Sequence, residues 1–187
     1  VNAFSDYARA PNINLEEFQI DKLIKEVIDL YRAQENNIEI ILNSPSDMQF
    51  IQADDGRIRQ IMHNLLRNSV EALEDISGGI INVKISNVIF DEIEIIEISV
   101  LDNGPGFNKD TIGQLFDPYV TTKPRGTGLG LAIVKKLVEE HAGIIDAENS
   151  EGGGAIIIVK LPANEFARSQ MIAKLPRNMG QGGLTHD

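Results

Sequence analysis

Between residues 18 and 31, apolar side chains return at Ile20, Leu23, Ile24, Val27, Ile28 and Tyr31. Residues three and four apart share one face of a helix, so the spacing predicts an amphipathic helix. Residues 38–42 and 48–53 have the length and apolar character of short strands, separated by the turn-forming Asn43-Ser44-Pro45-Ser46. Asp54 is suited to N-cap a helix running to about Asp75, and Gly78-Gly79 closes that unit. Residues 80–90 and 93–102 are rich in β-branched side chains and are joined by the acidic turn Asp91-Glu92. Residues 102–128 are rich in Gly, Pro and Thr, a loop long enough to suggest function or disorder. A helix is expected over 129–141, stopped by Gly143, with strands over 144–149 and 155–161 around a turn at 151–154. Val1, Phe4 and Tyr7 also recur at helical spacing before Pro11. They read either as the last turns of a helix whose body lies upstream or as a frayed terminus. Residues 163–187 show little periodicity and read as a flexible C-terminal tail.

Composition narrows this outline. The 187 residues suit one domain with attachments, and an apolar share of 42% suffices for a core. A net charge of −11 argues against a general nucleic-acid binder, which needs a basic face. The chain has no cysteine, which excludes disulfides, thiolate metal sites and a cysteine nucleophile. Its three histidines, His63, His141 and His186, are too scattered for a zinc site. No apolar run approaches the roughly 20 residues of a membrane span, and the first residues lack the pattern of a signal peptide. A cytoplasmic location without membrane contact is expected for this fragment, while regions outside it could anchor the full-length protein in a membrane. Ten of the 16 glycines fall between Gly104 and Gly154, which draws attention to that half.

On the helix expected from Asp54, steps of about 100° per residue gather Ile58, Ile61, Met62, Leu65, Leu66, Val70 and Leu73 into one arc. Arg57, Gln60, Asn64, Arg67, Asn68 and Glu71 fall opposite. Asn64 and Asn68 lie one turn apart and point the same way. One reading of this face is a solvated surface. The other starts from asparagine being a poor helix-interior residue, because its amide competes with the backbone. Two asparagines in register then suggest neutral oxygen ligands, suited to Mg²⁺ when phosphates supply the charge.

Two glycine motifs flank the long loop. Asp102-Asn103-Gly104-Pro105-Gly106-Phe107 follows an apolar strand and is either a plain turn or a place where backbone approaches a ligand. Gly126-Thr127-Gly128-Leu129-Gly130-Leu131 opens a helix, where free N–H groups and the positive dipole end favour an anion. It matches neither the Walker A loop nor the dinucleotide-binding glycine pattern. Between them lies Phe116-Asp117-Pro118-Tyr119-Val120-Thr121-Thr122-Lys123. Its aromatics could anchor the loop; Lys123 is either a phosphate contact or an ordinary solvated lysine.

In order and spacing these segments resemble the sensor histidine kinases. Residues 60–69 are similar to their N box, 102–106 to the G1 box, 116–119 to the F box and 126–131 to the G2 box. The wider superfamily is that of gyrase-type, Hsp90-type, histidine-kinase and MutL-type ATP-binding domains. Residues 3–11, with Thr121-Thr122-Lys123, further resemble the nitrogen-regulation-type sensor kinases. The resemblance implies an α+β fold: a two-layer α/β sandwich of the Bergerat type, its mixed sheet covered on one face by helices. It implies an organisation with 1–10 as the end of an upstream dimerisation helix, 11–18 as linker, 19–162 as the catalytic ATP-binding domain and 163–187 as tail.

The resemblance also implies ATP and Mg²⁺ as cofactors. Asn68 would ligate the metal and Asn64 would support phosphates or metal. Asp102 would accept a hydrogen bond from the adenine amino group, with Gly104, Gly106 and Phe107 around the base. Gly126, Thr127, Gly128, Leu129 and Gly130 would approach the phosphates, and Thr121, Thr122 and Lys123 would contact them. Asn64, Asn68 and Lys123 would carry the chemistry. ATP-hydrolysing relatives have glutamate where Asn64 stands. An amide is no general base at neutral pH, so the expected reaction is phosphoryl transfer to a partner. None of the three histidines precedes an acidic residue on a suitable helix, so the acceptor histidine is expected on a separate dimerisation domain. A response regulator would then take the phosphoryl group onto an aspartate. The fragment is expected to be a monomer or weak dimer. The alternatives are a module that binds ATP without transferring phosphate, and a serine kinase or hydrolase of the same superfamily.

Overall fold

The computed structural model describes residues 13–34, 37–47, 49–120 and 127–174. Strand β1 (Glu16–Gln19) pairs antiparallel with β3 (Phe50–Ala53), and helix α1 (Ile20–Arg32) follows β1 directly. The helix therefore starts two residues later than periodicity suggests. Residues 16–19 are drawn into extended backbone by pairing with β3, and Gln19 is still extended at φ −83°, ψ 110°. Strand β2 (Ile38–Asn43) does not pair with β3, although a turn sequence separates them. It runs parallel to β4 (Gly79–Phe90) instead.

The main sheet has the order β2-β4-β5-β7-β6, where β5 is Ile93–Asp102, β6 is Ile144–Asn149 and β7 is Ala155–Pro162. Only the β2–β4 pair is parallel. The β4–β5 turn holds Asp91 and Glu92 at φ 51° and 67°, the left-handed conformation that a two-residue hairpin of this twist requires.

Helices α1, α2 (Asp55–Ala72) and α3 (Gly130–Glu140) cover one face of this sheet. Ile24, Ile28, Ile58, Met62, Leu65 and Val134 meet Ile81, Val83, Ile98, Val100 and Val159 in one core. The alternation of β5 explains the arrangement, since Ile96, Ile98 and Val100 share the helix-covered face. Asp54 caps α2 through Oδ1, which accepts the Arg57 N–H at 3.1 Å. Helix α3 ends differently from expectation. The left-handed residue is Ala142 (φ 58°), with its N–H on Glu139 O and the Gly143 N–H on Val138 O, both 2.9 Å. Gly143 is required for a different reason: a Cβ there would stand 2.6 Å from Lys160 O.

The sandwich has an addition on its opposite face. Residues 163–174, read from sequence as tail, contain a helix, α4 (Glu165–Lys174), capped by Asn164 Oδ1 on the Ala167 N–H at 2.9 Å. Ala167 and Met171 pack on Ile93 and Ile95, the other face of β5. Lys174 Nζ bonds both Asp91 O and Asp91 Oδ2 at 2.6 Å, so the helix end grips the left-handed turn. The stripe is too narrow to give a periodic signal, because only two side chains face the sheet. The readings made for residues 1–10 and 175–187 fall outside the described residues.

Candidate functional site

Seven of the residues expected to act together come from four segments and line one cavity of about 620 Å³. Helix α2 contributes Asn68, strand β5 contributes Asp102, the following loop contributes Gly106 and Phe107, and the start of α3 contributes Thr127, Gly128 and Gly130. Thr121, Thr122, Lys123 and Gly126 lie outside the described residues.

Asp102 ends β5 and is 4% exposed. Its Oδ1 accepts N–H groups from Gly104 at 3.0 Å and Ala155 at 3.3 Å. One carboxylate oxygen is thus fixed by the backbone, and the other is the one available to a ligand in the cavity. Gly104 acts through that bond and does not line the cavity wall. Beyond it, Gly106 adopts φ 76°, where a Cβ would come within 2.7 Å of Asn149 Oδ1. Asn149 holds the loop by accepting the Phe107 N–H at 2.6 Å and donating to Phe107 O at 2.9 Å. Asn103 fixes the other side, accepting from Ile80 N–H at 2.7 Å and donating to Gly78 O at 3.0 Å. Neither asparagine was marked by sequence, since each works through a contact more than 20 residues away in the chain.

Asn64 is 7% exposed. Its Nδ2 donates to Gln60 O at 3.1 Å and its Oδ1 accepts from Arg67 Nη2 at 2.8 Å. It stands behind the cavity wall, and Arg67 lines the wall in front of it. Gly130 brings the two helices together. A Cβ on it would lie 3.7 Å from Arg67 Nη2, 3.7 Å from Asn64 Oδ1 and 3.9 Å from Asn68 Oδ1. The N-terminus of α3, with amides that have no partner inside the helix, therefore opens against the amide face of α2. The Thr127 hydroxyl accepts the Leu129 N–H at 3.3 Å, and Leu129 itself is buried in the core rather than at the cavity.

Beside the cavity, residues 119 and 128 are pinched together. The Tyr119 N–H donates to Gly128 O at 2.9 Å. Both residues are left-handed, Tyr119 at φ 66° and Gly128 at φ 67°. A Cβ on Gly128 would come within 2.5 Å of the Tyr119 carbonyl carbon.

The ends of α2 and α3 are tied beneath the site. His141 is 2% exposed. Its Nε2 accepts the Asp54 N–H at 3.1 Å, so Nδ1 carries the proton and donates to Leu137 O at 2.7 Å. Burial holds this imidazole below the ordinary histidine value, with the Leu137 bond opposing. His141 is thus a neutral link between the two helices, with both ring nitrogens engaged. Arg57 pairs with Asp54 at 3.4 Å and with Glu140 across the same junction. His63 packs on Tyr31 of α1, ring centroids 5.7 Å apart, and burial lowers its pKa too.

The donor set suits a nucleotide with a divalent ion. Among the described residues no cluster of three acidic or histidine side chains could hold a metal alone. An ion beside the Asn68 carboxamide would need anionic ligands from a bound phosphate chain. The enclosed end, with Val100, Ala155 and Ile157 beside one carboxylate, suits a flat heterocycle bearing an N–H donor.

Comparison with known proteins agrees with this geometry. The family described as histidine kinase-, DNA gyrase B-, and HSP90-like ATPase matches residues 53–165. An NtrY-like sensor histidine kinase of Rickettsia bellii, so named, is 36% identical over 166 residues, 89% of this chain. The chain spans 27% of that relative's length. The nucleotide-free catalytic domain of histidine kinase ThkA has a TM-score of 0.73 at 30% identity, covering 82% of this chain and 99% of that one. ThkA in complex with the response regulator TrrA gives 0.71 at 28% identity, over 86% of this chain and 45% of that one. Full-length ShkA in complex with AMPPNP gives 0.74 at 32% identity, over 86% of this chain and 34% of that one.

Proposed function

Because the chain belongs to the histidine kinase-, DNA gyrase B- and HSP90-like ATPase family, we propose that it is the catalytic, ATP-binding part of a two-component sensor histidine kinase. ATP supplies the γ-phosphoryl group, and the acceptor is a histidine on a dimerisation domain outside residues 19–162. Residues 1–10 would be the end of that domain's helix and 11–18 the linker. A response regulator would take the group onward, and the site would face the cytoplasm. Among the described residues no helix is long and apolar enough to cross a membrane.

The observation that carries this reading is the shared cavity of Asn68, Asp102 and Gly128. Each has a distinct task. Asp102 orients the base through its ligand-facing oxygen. Asn68 presents a neutral oxygen to Mg²⁺. The start of α3, opened by Gly128 and Gly130, presents backbone N–H groups to phosphate, with Thr121, Thr122, Lys123 and Gly126 as further contacts from the loop. These donors act locally against a global charge of −11. Asn64 cannot remove a proton from water, and both ends of its amide are engaged, so hydrolysis has no base at that position. Transfer to a histidine needs none from this domain, because positioning and charge neutralisation supply most of the rate.

Two measurements test the proposal. Labelled ATP, this chain and a separately prepared dimerisation domain should together yield an acid-labile phosphoprotein. ATP binding without any transfer would leave a nucleotide-binding module and overturn the kinase reading. In calorimetric titration, Asn68→Ala should lose at least about tenfold in ATP affinity with Mg²⁺ present and little without it. Equal losses under both conditions would remove Asn68 as the metal ligand.

A further inference from the structure

Besides Asp102, two charged side chains line the cavity, Arg67 and Glu71. Arg67 is the cation among the described residues that line it. Its guanidinium spans two neighbours on α2: Nη2 is 2.8 Å from Asn64 Oδ1, and Nε is 4.0 Å from Glu71 Oε1. The same Nη2 is 3.7 Å from the position a Gly130 Cβ would take, at the open end of α3. The side chain is 57% exposed, so its terminal atoms have room to move.

We propose that Arg67 is a triphosphate-positioning residue. Resting on the nucleotide reading, the inference adds a residue and a sequence of contacts to it. Without ligand, the guanidinium occupies the oxygen of Asn64. A phosphate chain laid against the α3 N-terminus arrives within reach of Nη2 and offers it an anionic acceptor in place of a neutral amide. Both bonds use a charged donor, but a phosphoryl oxygen adds an opposite charge that the neutral amide oxygen lacks, so the exchange favours phosphate. Moving the guanidinium releases Asn64 Oδ1, which then faces the phosphate and metal side. Arg67 thereby couples nucleotide arrival to the availability of Asn64. A planar fork suits the task better than an ammonium, since it can bond two phosphoryl oxygens while Glu71 holds its other edge.

The test compares wild type, Arg67→Gln and Arg67→Lys by calorimetric titration with Mg-ATP, Mg-ADP and adenosine. Arg67→Gln should lose about tenfold or more for ATP and less for ADP, with adenosine unchanged. Arg67→Lys should fall between, and the salt dependence of ATP binding should flatten in Arg67→Gln. Thermal melting of all three should agree closely, because the side chain is largely solvated. Arg67→Gln binding ATP as tightly as wild type, or losing adenosine and ATP equally, overturns the inference alone. A wild-type chain that binds no nucleotide overturns the functional reading and this inference with it.

Discussion

Replacing Asp102 by asparagine exchanges one atom's hydrogen-bonding sense while leaving the shape of the site intact. The carboxylate oxygen Oδ1 already accepts two backbone N–H groups, at 3.0 and 3.3 Å. An amide oxygen at that position keeps both bonds, each weakened from charge-assisted to neutral. The cost to folding is therefore about 1–2 kcal/mol, a few degrees in melting temperature for a domain of this size. The ligand-facing atom changes from acceptor to donor. Adenine presents its amino group there, so wild type satisfies it and Asp102→Asn sets donor against donor. A buried polar group left unpaired costs about 1–3 kcal/mol, or about 5- to 150-fold in affinity. Guanine presents a carbonyl oxygen at the same edge, which wild type rejects and the variant accepts. Wild type should thus prefer ATP to GTP by at least about tenfold, and the variant should lose or reverse that preference. Parallel calorimetric titrations with the two nucleotides measure it, with a melt as the folding control. Equal affinities in wild type, or an ATP preference retained in Asp102→Asn, would show that this carboxylate does not read the base.

Gly128→Ala should unhook the loop. An Ala at φ 67° costs about 1–2 kcal/mol, and its Cβ displaces the Tyr119 backbone, ending the 2.9 Å bond between them. ATP affinity should fall by at least about tenfold while the melting temperature drops by only a few degrees, because the opening is local; unchanged affinity would refute the pinch. The His141 imidazole predicts a pH dependence of stability. Its folded pKa lies below the ordinary 6.5, so the unfolded chain takes up the proton first. The contribution is full above about pH 6.5 and is lost as pH falls through the folded value. Melting temperature should decline on acidification, and His141→Ala should be less stable by about 2–4 kcal/mol, with a flatter profile. His63 shifts in the same direction, so a slope unaltered in His141→Ala would assign the effect to His63.

The strands and helices that follow a strict period were legible because their signal is local. In α2, the Asp54 cap and the apolar arc from Ile58 to Leu73 sit within one stretch of chain, and the structure keeps both. Legibility failed where partners decide conformation. Nothing between residues 38 and 53 says that β2 joins β4 while β3 joins β1, because pairing depends on which edges are free after the helices pack. Helix α4 was missed for the same reason. Its docking surface, Ile93 and Ile95, belongs to a strand whose more obvious apolar face is already used.

At the site, the residues that stand out in the sequence are those whose chemical type is unusual for their place. Two asparagines in register inside a helix conflict with helix propensity, and glycines crowded before a helix conflict with economy of backbone entropy. Such conflicts mark places where a sequence serves something besides folding. Arg67, Asn103, Asn149 and His141 conflict with nothing locally. An arginine on a polar helix face, an asparagine at a strand end and a histidine at a helix end are all ordinary choices. Their roles arise from contacts that close only when distant segments meet: Asn149 with Phe107, His141 with Asp54, Arg67 beside Gly130. The division follows from physics. A ligand's demands on a side chain constrain its type, and type is written in the sequence. The demands of positioning constrain its location, and location exists only in the fold. Substituting these residues should therefore alter affinity, Arg67 through its phosphate contact and the others through the geometry of the site, and should leave the identity of the preferred base unchanged.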